Sequence, residues 1–140
     1  RLGIAVELGT HLHIGQSDGD PAVVREALGP DRLLGVSVSS RAELDAIAAT
    51  GCADVVGLSP VWSTSTKTDT APALGLEGVR ELLAARPAGL PAVAIGGINA
   101  TNAAEVIATG VDGICVVSAI AAATHPREAA SHLKELWETP

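Results

Sequence analysis

Short apolar runs alternate with Ala-rich amphipathic stretches five times along the 140 residues, and this alternation limits the possible folds more than any other feature. The apolar runs cover residues 10–16, 33–38, 53–59, 91–96 and 112–118. Helices are expected over 21–28, 40–50, 76–86, 102–109 and 126–138, and residues 2–8 read as the end of a further helix ahead of the first run. Local signals mark the boundaries. Ser40 stands before an apolar-periodic stretch with Glu43 three residues on, the pattern of a capping box. Pro21 and Pro126 stand where first-turn prolines belong. Gly29, Gly51 and Gly110 each follow the last periodic residue of a stretch, as a helix stop does.

Residues 92–95 and 114–117 are apolar without interruption, as strands buried on both faces of a parallel sheet are. Repeated strand–helix units imply right-handed crossovers. A doubly wound sheet and a (β/α)₈ barrel both satisfy that pattern. Every strand end carries a polar or glycine-rich cluster: Gly15-Gln16-Ser17-Asp18, residues 37–40, Ser59-Pro60 followed by Thr64-Ser65-Thr66-Lys67, Gly96-Gly97-Ile98-Asn99, and Ser118-Ala119. A doubly wound fold concentrates function at one switch point, whereas a barrel gathers all its strand ends around one mouth. The expected class is therefore α/β, a TIM-type barrel. The last two clusters resemble the phosphate site that barrels build after strands 7 and 8, with a short helix opening at Ser118. The five strands would then be numbers 4 to 8 of an incomplete barrel. Residues 1–140 would be one domain lacking its N-terminal third, in keeping with the absence of Met. Closing a filled barrel takes about eight strands. The outer two of five would be bare edges, so the stretch is expected not to be stable as an isolated monomer.

Composition narrows the function. Hydrophobic residues make up 47% and charged ones 18%, a balance that folds. With Phe and Tyr absent and only Trp62 and Trp137 present, the core must come from Ala, Val, Leu and Ile. The net charge of −7 argues against a nucleic-acid partner. Asp54, Lys67, Asp69 and Asp112 interrupt the apolar stretches before any reaches the ~18 residues of a membrane helix, and no signal peptide is expected ahead of the first strand. Cys52 and Cys115 form no CxxC pattern, which fits a reduced, cytoplasmic protein.

Several residue groups could carry chemistry. The loop Trp62-Ser63-Thr64-Ser65-Thr66-Lys67-Thr68-Asp69 offers five hydroxyls and a lysine after a strand end. Hydrogen bonds to charged groups contribute roughly 1.5–3 kcal/mol each, so the loop suits a phosphate or diphosphate; the alternative is a solvated Ser/Thr-rich loop. Gly96-Gly97 lets backbone N–H groups approach an anion, or is simply a tight turn. Ser118 opens a helix whose dipole adds ~0.3–1 kcal/mol toward an anion, or merely caps it. Asp18 could ligate Mg²⁺, or cap the helix that begins near Pro21. His11 and His13 share one strand face, but with no third ligand suitably spaced they read as packed or partly exposed imidazoles. His125 and His132 read as surface residues and Trp137 as core packing. No Gly-x-Ser-x-Gly elbow and no carboxylate pair is present. Anion donors, a lysine and a lone acid serve a reaction in which a phosphorylated group departs and the attacking atom needs no deprotonation.

Five strings, His13-Ile-Gly-Gln-Ser-Asp18, Leu34-Gly-Val-Ser37, Gly57-Leu-Ser-Pro-Val-Trp-Ser-Thr-Ser-Thr-Lys-Thr-Asp69, Ala94-Ile-Gly-Gly-Ile-Asn99 and Val116-Val-Ser-Ala-Ile120, together resemble thiamine-phosphate synthase. They occur in that family's order and spacing. The resemblance implies a (β/α)₈ barrel transferase of thiamine biosynthesis. It would join 4-amino-2-methyl-5-hydroxymethylpyrimidine diphosphate to a thiazole phosphate or its carboxylate, releasing diphosphate with Mg²⁺ as cofactor. By position it implies Asp18 as the Mg²⁺ ligand and Ser37 and Lys67 as catalytic contacts to the pyrimidine diphosphate. It also implies Thr64, Ser65 and Thr66 as thiazole contacts, and Gly97, Val117 and Ser118 as the cradle of the thiazole phosphate. Ser39, Ser59 and Ser63 stand where that family often has histidine, glycine and proline. The expected partners are these small molecules, with a homo-oligomer as a further possibility. The alternatives are a thiazole tautomerase-like isomerase, which needs no diphosphate, and a non-catalytic fragment that binds phosphorylated ligands.

Overall fold

The structure, a computed structural model, describes residues 2–63 and 71–138. The elements run α1 (Leu2–Leu8), β1 (Leu12–Ile14), α2 (Pro21–Leu28), β2 (Leu34–Val38), α3 (Arg41–Thr50), β3 (Val55–Leu58), α4 (Gly75–Ala85), β4 (Ala92–Ile95), α5 (Ala103–Ile107), β5 (Gly113–Cys115), α6 (Ser118–Ala121) and α7 (Pro126–Glu138). All five strands are parallel, and their order in the sheet is their order in the chain. A doubly wound sheet would reverse direction at a switch point. Here each strand adds on the same side of the one before, the strand order of a barrel wall. The α/β, barrel-type reading holds.

This order sorts the residues of each strand. On one face Ile14, Leu34, Val36, Val38, Val56, Leu58, Ala92 and Ala94 are buried, together with Val24 and Leu28 of α2, Leu44 and Ile47 of α3, Val79 and Leu82 of α4, and Ala103 and Val106 of α5. Burying each Leu or Val stabilises the fold by about 1.5–3 kcal/mol. Small residues such as Ala92, Ala94 and Ala103 let helices lie close to the strands in a core without Phe or Tyr. The opposite face carries His13, Gly35, Ser37, Val55, Gly57, Val93, Ile95 and Cys115, as the register of the four strand pairs requires. It is the face that looks into a barrel.

Helix boundaries follow the local signals. Pro21 and Pro126 open α2 and α7, and Gly51 closes α3 in the left-handed conformation, φ 60°. Ser40 caps α3 by accepting the Glu43 N–H at 3.3 Å. The reciprocal half of the capping box is displaced by one residue, because the Glu43 carboxylate accepts from the Ser39 N–H at 2.6 Å and the Ser39 hydroxyl at 2.9 Å. The strands are shorter than the apolar runs. Pro91, for example, has no N–H, and its carbonyl accepts from Val56 N just before β4 begins. Trp137 packs against the core and His125 and His132 are exposed, as expected. Among the described residues no helix is long and apolar enough to cross a membrane.

Candidate active site

The site is built where the parallel strands end, and the arrangement around His13 is the firmest part of it. His13 lies in β1 on the face that looks away from the helices, level with Gly35 of the neighbouring strand. Its ring reaches across β2 toward β3. A Cβ at Gly35 would overlap His13 Nδ1, and a Cβ at Gly57 would lie 3.1 Å from Cε1. His13 Nε2 and Ser37 Oγ share a hydrogen bond of 3.1 Å. One ring face is covered by two backbones while the residue as a whole stays exposed. Desolvation of that covered face pushes the imidazole below its ordinary 6.5, against the charge of Asp18, which raises it. At neutral pH the ring is therefore uncharged and presents one donor and one acceptor nitrogen. His11, by contrast, is exposed and uses Nδ1 to accept the Leu33 N–H at 2.9 Å. The two histidines are not a metal pair, and among the described residues no three His, Cys, Asp or Glu side chains cluster to hold an ion.

Asp18 follows β1 in a tight turn, where its N–H donates to the Gly15 carbonyl at 3.1 Å and its carboxylate accepts the Gly15 N–H at 2.8 Å. The capping alternative for Asp18 is corrected. Asp20 caps α2, accepting the Ala22 N–H at 2.8 Å, because a cap must stand immediately before the first helical residue for its oxygen to reach that amide. Asp18 lies two residues too early and stays with the strand-end turn.

At β4 the two glycines are needed for packing as well as for access. Gly96 and Gly97 have φ of +105° and +66°, and a Cβ on either would lie 2.8 Å from Pro60 Cα or 2.6 Å from Trp62 Cβ. The chain after β3 therefore packs directly on this turn, with Val61 N donating to Ile95 O at 2.9 Å and Trp62 N to Gly96 O at 3.1 Å. The Gly97 carbonyl, the oxygen that would repel an anion, accepts from the Asn102 amide at 3.0 Å and the Asn99 amide at 3.4 Å. Sequence reasoning missed both asparagines as positioning groups. Their spacing after the diglycine, with Asn99 N donating to Asn102 Oδ1 at 2.9 Å, was the available signal.

After β5 the chain turns at Val117, which is 60% exposed, into α6 at Ser118. The capping alternative for Ser118 is corrected as well. Val117 holds the N-cap position and no side chain caps the helix, so the Ser118 hydroxyl at this rim is not committed to a cap bond. Cys115 is on the barrel-facing side of β5, where burial pushes its thiol up and away from the reactive thiolate.

Thr64, Ser65, Thr66 and Lys67 lie outside the described residues. The segments that flank them are held at this same rim. Trp62 bonds to Gly96, and Leu74 N and Gly75 N donate to the Pro60 and Val61 carbonyls at 2.8 and 2.9 Å. Asp18, Ser37, Gly97 and Ser118 thus all follow or occupy the C-terminal ends of parallel strands, and the strand-end residues of β3 sit between those of β2 and β4.

Comparison with known proteins relates the chain to others of similar sequence and fold. The family model described as thiamine monophosphate synthase (TMP-TENI) matches residues 1–120. The thiamine biosynthesis multifunctional protein ThiED of Corynebacterium glutamicum is 49% identical over 144 residues, covering 98% of this chain and 19% of the relative. The thiamine-phosphate synthase of Laribacter hongkongensis is 47% identical over 127 residues, covering 90% of this chain and 58% of its own. Among solved structures, the thiamine phosphate pyrophosphorylase of Pyrococcus furiosus superposes with a TM-score of 0.86 at 36% identity, over 99% of this chain and 64% of that one. The chain thus spans less than two thirds of the length of each of these proteins.

Proposed function

The chain belongs to the thiamine monophosphate synthase family, and from that premise we propose that it acts in the joining of 4-amino-2-methyl-5-hydroxymethylpyrimidine diphosphate to a thiazole phosphate, with release of diphosphate. The observation that carries this reading is the gathering of Asp18, Ser37, Gly97 and Ser118 at the ends of four parallel strands, on either side of the segment that leads into Lys67. Two anionic ligands side by side need such a rim of hydroxyls and backbone amides, and a cation to balance their charge.

Each residue has a role its chemistry allows. Ser37, whose hydroxyl His13 fixes at 3.1 Å, contacts the pyrimidine diphosphate. Lys67 stabilises the charge that develops on the departing diphosphate as the C–O bond breaks. The electron-rich aminopyrimidine carries the cation left behind. Thr64, Ser65 and Thr66 hold the thiazole, and Gly97, Val117 and Ser118 hold its phosphate, so that the ring nitrogen faces the cationic carbon. The thiazole nitrogen supplies the electron pair for the new C–N bond, which is why no general base is required. Asp18 is the residue that would hold Mg²⁺. A single carboxylate fits this ion, which keeps most of its waters and shares substrate phosphate oxygens. When bound, Mg²⁺ supplies further neutralisation of diphosphate charge.

Incubating the protein with both substrates and Mg²⁺, and measuring diphosphate and thiamine phosphate together, tests the reading. Equal amounts of the two products are expected. Isomerisation of the thiazole with no diphosphate, or binding of phosphorylated ligands with no product, would replace it with one of the alternatives.

A further inference from the structure

Gly35 and Gly57 stand in the interiors of β2 and β3. Neither is among the positive-φ glycines, so the backbone at these positions would accept any residue. Glycine inside a strand weakens it and often marks a close approach by another group. Here the approaching group is identifiable. The register sets His13 beside Gly35, and Gly57 lies on the same sheet face, one strand further and two residues along from the level of Gly35. A Cβ at Gly35 would overlap Nδ1 and come within 3.1 Å of both Cγ and Cε1, and a Cβ at Gly57 would meet Cε1 at 3.1 Å and Nε2 at 3.3 Å. The two missing side chains leave a slot the width of an imidazole. A ring lying in it presents Nε2 to Ser37, two residues beyond Gly35 on the same face.

We propose that Gly35 and Gly57 are positioning residues of the candidate active site, forming a slot that lays the His13 ring across β2 and β3 and thereby fixes the Ser37 hydroxyl. The placement of the ring stands on geometry alone; the consequence for turnover rests on the function proposed above. Ser37 has two acceptor lone pairs and one proton on a freely turning hydroxyl, and bonding to Nε2 removes that rotational freedom. Gly35 is the tighter wall and Gly57 the looser one, which predicts a graded response to the smallest possible intrusion.

The test is a double-mutant cycle of Gly35→Ala with His13→Ala, read by thermal melting, with Gly57→Ala as the milder variant. Gly35→Ala is expected to lower Tm in the presence of His13 and to raise it, or leave it unchanged, when His13 is alanine, since alanine is otherwise the better strand residue. Equal effects of Gly35→Ala in both backgrounds would overturn the slot. Imidazole ¹⁵N resonances give a second readout. Gly57→Ala should shift the His13 Nε2 signal as Ser37→Ala does, and an unmoved signal in Gly57→Ala would count against the slot even if Gly35→Ala failed to fold. In the diphosphate-release assay Gly57→Ala should lower kcat severalfold with KM little changed. An unaltered kcat beside a shifted Nε2 signal would leave the slot standing and remove its effect on catalysis. Absence of turnover in the unmutated protein would remove the functional reading while the melting and resonance results still decide the slot.

Discussion

The two rims of the sheet are built on opposite plans. At the rim where strands begin, Asp54 and Asp112 each stand immediately before a strand and accept an N–H from the adjacent one, Leu34 at 2.7 Å and Ala92 at 2.8 Å. Each also pairs with an arginine from the end of a helix, Arg25 or Arg86. The aspartate amides return the contact, Asp54 N to Leu34 O at 2.9 Å and Asp112 N to Ala92 O at 2.8 Å. Arg25 goes on to donate to the carbonyls of Cys52, Gly29 and Arg32. The same clamp is thus made twice, and its charges are committed to backbone groups of the fold. At the rim where strands end, the groups are a serine hydroxyl oriented by one ring, a carboxylate in a tight turn and glycine-lined loops. Polar groups that the fold uses to hold its own strands stabilise it. Those presented on loops with small neighbours leave room for a ligand.

The largest expected effect is that of Lys67→Ala, in the segment proposed to meet the diphosphate. Turnover measured by diphosphate release should fall about a hundredfold or more, as when one donor to a developing anion is removed, with Tm unchanged. Near-normal turnover would take Lys67 out of the catalytic role. Asp18→Asn should raise the Mg²⁺ concentration for half-maximal activity by at least about tenfold, again without loss of stability, and an unchanged Mg²⁺ titration would remove Asp18 as the ligand. Asp112→Ala acts on the opposite rim. It leaves the Ala92 N–H without the carboxylate it donates to and Arg86 without its ion-pair partner, so urea denaturation should show a loss of about 1–3 kcal/mol, while KM for both substrates stays the same. A KM change of the same size as the stability change would dissolve the distinction between the rims.

The smallest effect is one of pH, and it differs in position between the rims. Arg86 and the Ala92 N–H hold the Asp112 carboxyl below its ordinary 3.8. Burial pushes Asp54 up, but the Leu34 N–H and Arg25 outweigh it and its carboxyl is lowered too. Carboxyls depressed by folding contribute their full stability above 3.8 and lose it as the pH falls below that value toward their folded values. The His13 imidazole is depressed from 6.5, so its contribution is complete above 6.5 and declines as the pH falls below it. Urea midpoints followed against pH should therefore show two stages of acid loss. Asp112→Asn should flatten only the lower stage and His13→Gln only the upper one. A single stage in the unmutated protein would show that the rims titrate together.

Much of this fold could be read along the chain, because its signals are local. The first-turn prolines 21 and 126, the Ser40 cap and the left-handed Gly51 act within one helical turn, and each holds in three dimensions. The site was legible only where a residue's neighbours in sequence are also its partners. The Asp18 turn closes on Gly15, three residues away. The competing cap could not be separated from it until Asp20 was seen to hold α2. In sequence the diglycine at 96–97 reads either as an opening for an anion or as a tight turn, and the packing of Pro60 and Trp62 against it comes from a loop more than thirty residues earlier.

From the amino-acid order alone came the succession of strand and helix, the parallel sheet and the polar character of every strand end, because hydrophobic period and caps are properties of short segments. Tertiary structure decided the rest. His13 meets Ser37, Gly35 and Gly57 only once three strands take one register. Arg25 and Arg86 find Asp54 and Asp112 only once the helices lie back along the sheet. These contacts join residues twenty or more positions apart. Their formation depends on the relative placement of whole elements, which packing across the sheet determines.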